Sequence, residues 1–155
     1  MTINTDLAGF VETCGLVMEG MGLPRMGGRV LGWLLVCEPA HQSAAQLAAA
    51  LSASTGSISG TTGLLLRYGL IDRVAFPGDR RQYFLLRPGL WWQMMQQRLL
   101  GVHAFRELAE QGAKVVDTPS ALSRLHEVSE FYHYLEEALA HGMARWQAAQ
   151  TASSP

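Results

Sequence analysis

Two groups of side chains in the middle of the chain have the types and spacing needed to hold a polyanion. Ser54, Thr55, Ser57 and Ser59 crowd their hydroxyls together, and Arg67, Arg73, Arg80, Arg81 and Arg87 follow. Hydroxyls donate to phosphate oxygens and base edges, and guanidinium groups make forked, charge-assisted bonds to phosphate. Gly56, Gly60 and Gly63 recur at spacings of four and three, which on a helix places them on one face with Arg67. A glycine in a helix interior costs about 1 kcal/mol relative to alanine. A glycine face directed at solvent therefore makes sense where a partner must come close to the helix backbone. Charge supports the same reading. Residues 64–88 hold five arginines against two aspartates, while the segments on either side each carry a net charge of −2, within a chain total of −1. The positive charge is local, as when one surface meets phosphate.

Other chemistry is weaker. His126, Glu130, His133, Glu137 and His141 form one stripe of a C-terminal helix, a spacing that can bind zinc. The opposite side carries Leu125, Val128, Tyr132, Leu135, Leu139, Met143 and Trp146, so the His/Glu stripe reads as a solvated face, and no metal is expected. Cys14 and Cys37 have apolar neighbours and read as small buried hydrophobes in a reducing compartment. The chain shows neither a nucleophile elbow nor a phosphate-binding glycine loop, so neither an enzyme nor a cofactor is expected. The longest apolar run, Val30 to Cys37, is too short to span a bilayer. The opening MTINTDLAGF lacks the basic start and apolar stretch of a signal peptide. Together these readings imply a soluble, cytoplasmic protein with no membrane partner.

The elements that must position the central residues can be read from punctuation and periodicity. Leu7, Phe10, Cys14, Val17, Met18 and Met21 recur at helical spacing, predicting a helix near residues 5–20. Pro24 suits a helix N1 position, with a helix running to Cys37 and broken at Glu38-Pro39-Ala40. Ser43 and Gln46 form a capping box for a short helix, Ala44 to Leu51. After a turn at Ser52-Ala53, Ser54 caps a second helix that presents Ile58, Thr61, Thr62 and Leu65 inward and stops at Gly69. Two short helices joined by a tight turn form a helix-turn-helix. Ile71 to Phe76 and Arg81 to Leu86 flank Pro77-Gly78-Asp79-Arg80 and predict a hairpin, placed where a wing would be. Long helices follow from Leu90 to about Ala113 and, capped at Thr118-Pro119, from Ser120 to about Gln147. Only the tail after Gln150 reads as unstructured. The fold class is mainly α with a small β hairpin, a winged helix-turn-helix at 24–88 with helical regions at 1–23 and 89–150.

The stretch from Ser57 to Arg73, with Leu64-Leu-Leu-Arg-Tyr-Gly-Leu-Ile-Asp-Arg73 at its end, and the Pro77-Gly-Asp-Arg-Arg-Gln-Tyr-Phe84 segment resemble the MarR family, and most closely its GbsR-like branch. Gly22 to Val36 resembles the opening of that branch, and the similarity covers roughly residues 15–100. The resemblance implies a homodimeric regulator held together by its outer helices, with a recognition helix in the major groove and a wing in the minor groove. It implies an Asp79–Arg81 pair bracing the wing, and a response to a small molecule. Gly60 departs from the longer polar or basic side chain often found in the family, leaving base readout to Arg67 and the serines and shape readout to the wing.

These readings give a specific set of expectations. Double-stranded DNA is contacted by Ser43, Ser54, Thr55, Gly56, Ser57, Ser59, Gly60, Gly63, Arg67, Arg73, Arg80 and Arg81, with Arg87 near phosphate and Arg80 in the minor groove. Leu7, Phe10 and Met18, with Leu135, Leu139 and Met143, form the dimer interface, and the 48% hydrophobic content would be partly buried between subunits. An effector pocket is expected around Trp33, Trp91 and Met95. The alternative is a winged-helix module that binds protein and not DNA, which the glycine face and low net charge would also suit.

Overall fold

Glycine, proline and hydroxyl residues set most of the element ends. The computed structural model describes residues 5–152, as α1 (Thr5–Gly20), α2 (Arg25–Val36), β1 (Gln42–Ser43), α3 (Ala44–Ala50), α4 (Thr55–Arg67), β2 (Ile71–Val74), β3 (Tyr83–Leu86), α5 (Leu90–Ala113) and α6 (Pro119–Ala152). Contacts divide the chain at Leu90 into two compact units, each described by itself.

In the first unit α1 lies directly on α2, and two glycines one helical turn apart allow it. A methyl group at Gly28 would stand 2.8 Å from the Cys14 carbonyl oxygen and 2.8 Å from the Gly15 Cα; one at Gly32 would stand 2.7 Å from the Cys14 Cβ. Val30, Leu31, Trp33 and Leu34 are buried together with Leu47, Leu51, Ile58, Leu65 and Ile71, so α2, α3, α4 and the first wing strand share one core. Pro24 is the N-cap of α2 and not its first helical residue. Its φ of −58° would suit a helix, but its ψ of 139° is extended, and its carbonyl accepts the first amide, Gly27 N, at 2.7 Å.

The expected capping box forms: Ser43 Oγ accepts from Gln46 N at 3.3 Å, and Gln46 Oε1 accepts from Ser43 N at 2.8 Å. Ser54 Oγ caps α4 by accepting from Ser57 N at 3.2 Å. Helix α4 ends in a Schellman arrangement, with Leu70 N donating to Leu65 O and Gly69 N to Leu66 O. Gly69 has φ +68°, and a Cβ there would also meet Arg87 Nη1 at 2.8 Å.

The wing is an antiparallel pair, β2 with β3, in the register Val74 opposite Tyr83 and Ile71 opposite Leu86. The sequence reading missed β1, whose Gln42 and Ser43 pair with Phe84 and Tyr83 to give the order β1-β3-β2. A two-residue strand has no periodicity to read. Both wing strands are shorter than expected. Arg81 N donates to Asp79 Oδ1 at 2.9 Å, which folds the connection into a local turn instead of extending the ladder.

The second unit is built on α5 and α6. Phe105 stacks on Tyr132 with ring centroids 5.2 Å apart. Glu136 Oε2 accepts from Arg106 Nε at 2.8 Å, and Glu136 Oε1 lies 2.9 Å from His103 Nδ1. Helix α6 runs five residues past the expected Gln147, to Ala152. Thr151 and Ala152 of the supposed tail are therefore helical, and residues 153–155 lie outside the described residues. No described side chain of α6 is fully buried. Leu100, Leu108, Phe131, Tyr134 and Trp146 are exposed in the single chain. Among the described residues no helix is long and apolar enough to cross a membrane.

Candidate nucleic-acid interface

Helix α4 has the phase its sequence predicts. Ile58 and Leu65 are fully buried and Thr62 nearly so, with Thr61 half-buried beside them. The Thr62 hydroxyl donates to Ile58 O at 2.9 Å, so burying it leaves no unmet donor. The other face carries Ser54, Thr55, Gly56, Ser57, Ser59, Gly60 and Arg67, all exposed, with Gly63 half-buried. Nothing stands within 4 Å of where a Cβ would be at Gly56 or Gly60. At Gly63 the nearest atom is Arg67 Nη1, at 3.7 Å. The hydroxyls cluster at the N-terminal end, where the first amides and the helix dipole favour an anion.

The arginines divide into two sets. Arg87 donates from Nε and Nη2 to Asp72 Oδ1, at 2.9 and 2.7 Å. Arg81 is held by Asp79, Nη2 to Oδ2 at 2.6 Å and Nε to both carboxylate oxygens at 3.0 Å. Arg67, Arg73 and Arg80 are exposed and make no ion pair among the described residues. The local excess of three positive charges thus resides on three available guanidinium groups. Arg87, expected near phosphate, is engaged in fastening β2 to the end of β3.

The Asp79–Arg81 brace has a third member that the sequence reading missed. Tyr83 Oη donates to Asp79 Oδ2 at 2.7 Å, and the Arg81 guanidinium carbon lies 5.4 Å from the Tyr83 ring centre. Tyr83 packs in turn edge-on against Phe76 and His41, with centroids 5.2 and 5.3 Å away. Its position four residues after Asp79 was the only sequence signal. Bonds from Arg81 and Tyr83 hold the Asp79 carboxyl well below the usual carboxylate range. A carboxylate with a depressed folded-state pKa contributes stability that is complete above its unfolded pKa of about 4 and fades as pH falls through the folded value. Asp79→Asn is therefore expected to lower the melting temperature slightly at pH 7, with the gap to wild type shrinking below about pH 4, where the carboxylate of the unfolded chain takes up a proton and that of the native protein does not. Thermal unfolding of both proteins at pH 7 and pH 2 checks this; a gap that is constant across pH would show the bonds contribute nothing.

Ser43 does not join the exposed set. It is 3% exposed, and its hydroxyl oxygen accepts the Gln46 amide in the α3 cap, so burial keeps it from the exposed surface that a phosphate would meet. Trp33 is buried in the first unit, whereas Trp91 is half exposed and Met95 exposed on α5. Of the expected dimer residues, Phe10 is exposed and Leu7, Met18, Leu135, Leu139 and Met143 are half-buried. Leu16 and Val17 on α1, and Met21 in the turn after it, are more exposed than any of these. His126, Glu130, His133, Glu137 and His141 all face solvent. Cys37 is buried and Cys14 partly so, and burial pushes both thiols up.

Comparison with known proteins extends this picture along the whole chain. A family model described as an MmpR5-like MarR family transcriptional regulator matches residues 89–149. The HTH-type transcriptional regulator MmpR5 of Mycobacterium tuberculosis (strain ATCC 25618 / H37Rv) is 38% identical over 148 residues, which cover 94% of this chain and 90% of that protein. A crystal structure described as that of a transcriptional regulator is similar with a TM-score of 0.72 and 37% identity, covering 92% of this chain and 99% of the other.

Proposed function

Because the chain belongs to the MarR family of winged-helix transcriptional regulators, a DNA-binding family and not a family of enzymes, we propose that it acts as a homodimeric repressor on a pseudo-palindromic operator. The observation that carries the reading is the bare face of α4, where Gly56 and Gly60 leave the backbone open between exposed hydroxyls. In the proposed complex α4 lies in the major groove, with Ser54, Thr55, Ser57 and Ser59 at its leading end and Arg67 at its trailing end. Arg80 occupies the minor groove at the wing tip, where narrow grooves attract arginine. Arg73 holds phosphate, and Arg81 keeps the wing in shape through Asp79.

The domain roles proposed follow the same lines, with 24–88 reading DNA and the flanking helices joining two subunits. Phe10, Leu16 and Val17 on α1, Met21 in the turn after it, and Phe131 and Trp146 on α6 are large apolar side chains at the surface, more than a monomeric protein usually leaves exposed. Leu7, Met18, Leu135, Leu139 and Met143 border them. Light scattering at micromolar concentration should return two chain masses; one mass from a folded sample would sink the dimer. Relief by a small molecule and a cytoplasmic location complete the proposal. Within the family the matching model is MmpR5-like, while the GbsR-like resemblance rests on Gly22 to Val36 and the wing motif.

A titration against random duplex DNA and against a selected operator, at low and moderate salt, tests the function. Binding to both should weaken steeply with salt, as phosphate contacts release counterions, and the operator should retain an advantage of about a thousandfold or more. Absence of binding to either at low salt would favour a protein-interaction module instead.

A further inference from the structure

Glu12 of α1, Arg29 of α2 and the turn that joins α3 to α4 form one bonded chain in the first unit. Arg29 Nη2 donates to Leu51 O at 2.9 Å, and Arg29 Nε lies 2.6 Å from Glu12 Oε1. Leu51 is the C-cap of α3, where carbonyls lack helical partners and carry the negative end of the helix dipole. A guanidinium there meets both needs. The Arg29 side chain is 20% exposed, and α1 leaves room for its stem: a Cβ at Gly15 would stand 2.9 Å from Arg29 Cγ.

The turn that Arg29 holds is strained. Ser52 has φ +49°, and among the described residues it is the only one besides glycines in the left-handed region. L side chains adopt that conformation rarely, and it persists where the surroundings over-determine it. The turn itself closes through Ser52 N to Ala49 O, a long bond at 3.4 Å, and Ala53 N to Ala48 O at 2.9 Å. Ser54, the next residue, already caps α4. The direction in which α4 leaves α3 is therefore set within Leu51, Ser52 and Ala53, and Arg29 fixes the carbonyl from which they depart.

We propose that Arg29 is a positioning residue for DNA recognition: tied to Glu12 and to the Leu51 carbonyl, it sets the direction of α4 relative to α1, and thereby the distance and angle between the two recognition helices of a dimer. This rests on the regulator reading above, in which α1 helps to join two subunits. Arg25 supplies the contrast. Its Nη2 donates to the same carboxylate, Glu12 Oε2, at 3.2 Å, but among the described residues no side-chain bond leads from it to the turn.

The test uses the full chain and the selected operator, alongside duplexes with one base pair inserted or removed between the half-sites. One base pair turns a half-site by about 35° and shifts it about 3.4 Å, so wild type should bind the altered duplexes at least about tenfold more weakly. Arg29→Lys keeps the charge and loses the fork, so it should bind the parent operator about tenfold more weakly and distinguish the spacings by less than about threefold. Glu12→Gln should lower the same ratio, and the double variant should be no worse than Arg29→Lys alone, because the two groups act as one chain. Arg25→Gln should keep the wild-type ratio. A variant that is merely less folded loses affinity for every spacing by one factor and leaves the ratio unchanged. Amide hydrogen exchange reads the link without DNA: Arg29→Lys and Glu12→Gln should both speed exchange at Ser52 and Ala53 about tenfold relative to Leu65 in α4. Positioning is overturned if wild type does not distinguish the spacings, if Arg29→Lys keeps the wild-type ratio, or if Arg25→Gln lowers it equally. The link to α1 is overturned if Glu12→Gln leaves both the ratio and the exchange at Ser52 and Ala53 as in wild type. If wild type binds no operator or scatters light as a monomer, the regulator reading has failed, and the exchange rates still decide whether Glu12 and Arg29 hold the turn.

Discussion

Gly28→Ala is expected to destabilise the protein by about 1–3 kcal/mol, the range for forcing a methyl into a packed interior. The new Cβ would lie 2.8 Å from three atoms, and two of them, the Cys14 carbonyl oxygen and the Gly15 Cα, are backbone that cannot rotate away. Helix α1 would have to move off α2. The roughly 1 kcal/mol gained by replacing glycine in a helix offsets only part of this. Gly60→Ala, the same change on α4, should do the opposite: with nothing within 4 Å, stability should rise by up to about 1 kcal/mol. Its methyl would stand between helix and groove, so operator affinity should fall. Denaturant unfolding of the two variants checks the stability pair. If Gly28→Ala unfolds like wild type, the α1–α2 contact is looser than described. If Gly60→Ala gains stability and keeps full affinity, the recognition surface lies elsewhere.

Arg80→Ala should weaken operator binding about tenfold or more while leaving the melting temperature within a degree or two of wild type. A well-placed arginine–nucleic-acid contact is worth roughly 1–3 kcal/mol, and a dimer loses two of them. Arg80 is exposed and makes no ion pair among the described residues, so its removal leaves no partner unsatisfied. Arg81→Ala provides the contrast. It strips Asp79 of three side-chain hydrogen bonds, so the wing should loosen and affinity fall with a measurable loss of stability. Operator binding and thermal unfolding of both variants separate the roles. Equal affinity for Arg80→Ala and wild type would remove the wing tip from the interface, and a large drop in its melting temperature would make Arg80 structural.

The features legible in the sequence were those whose causes lie within a few residues of each other. The Ser43–Gln46 box, the Ser54 cap, the Gly69 stop and the inward phase of Ile58, Thr62 and Leu65 are local, because capping and helix periodicity act over one or two turns. The Asp79–Arg81 brace spans two residues and came from the family resemblance. What tertiary structure decided involved partners far apart in the chain. Gly28 and Gly32 look like propensity defects until Cys14 and Gly15 are laid against them. Arg87 looks as free as Arg80 until β2 brings Asp72 to it from fifteen residues away. Strand β1 exists only because Tyr83 and Phe84 present an edge to Gln42 and Ser43. Ser43 can be read as a DNA contact or as a cap, and only its burial decides. Local chemistry specifies which helices form and where they stop; which arginines remain available to an anion, and which tryptophan is buried, follows from packing that no short window of sequence contains.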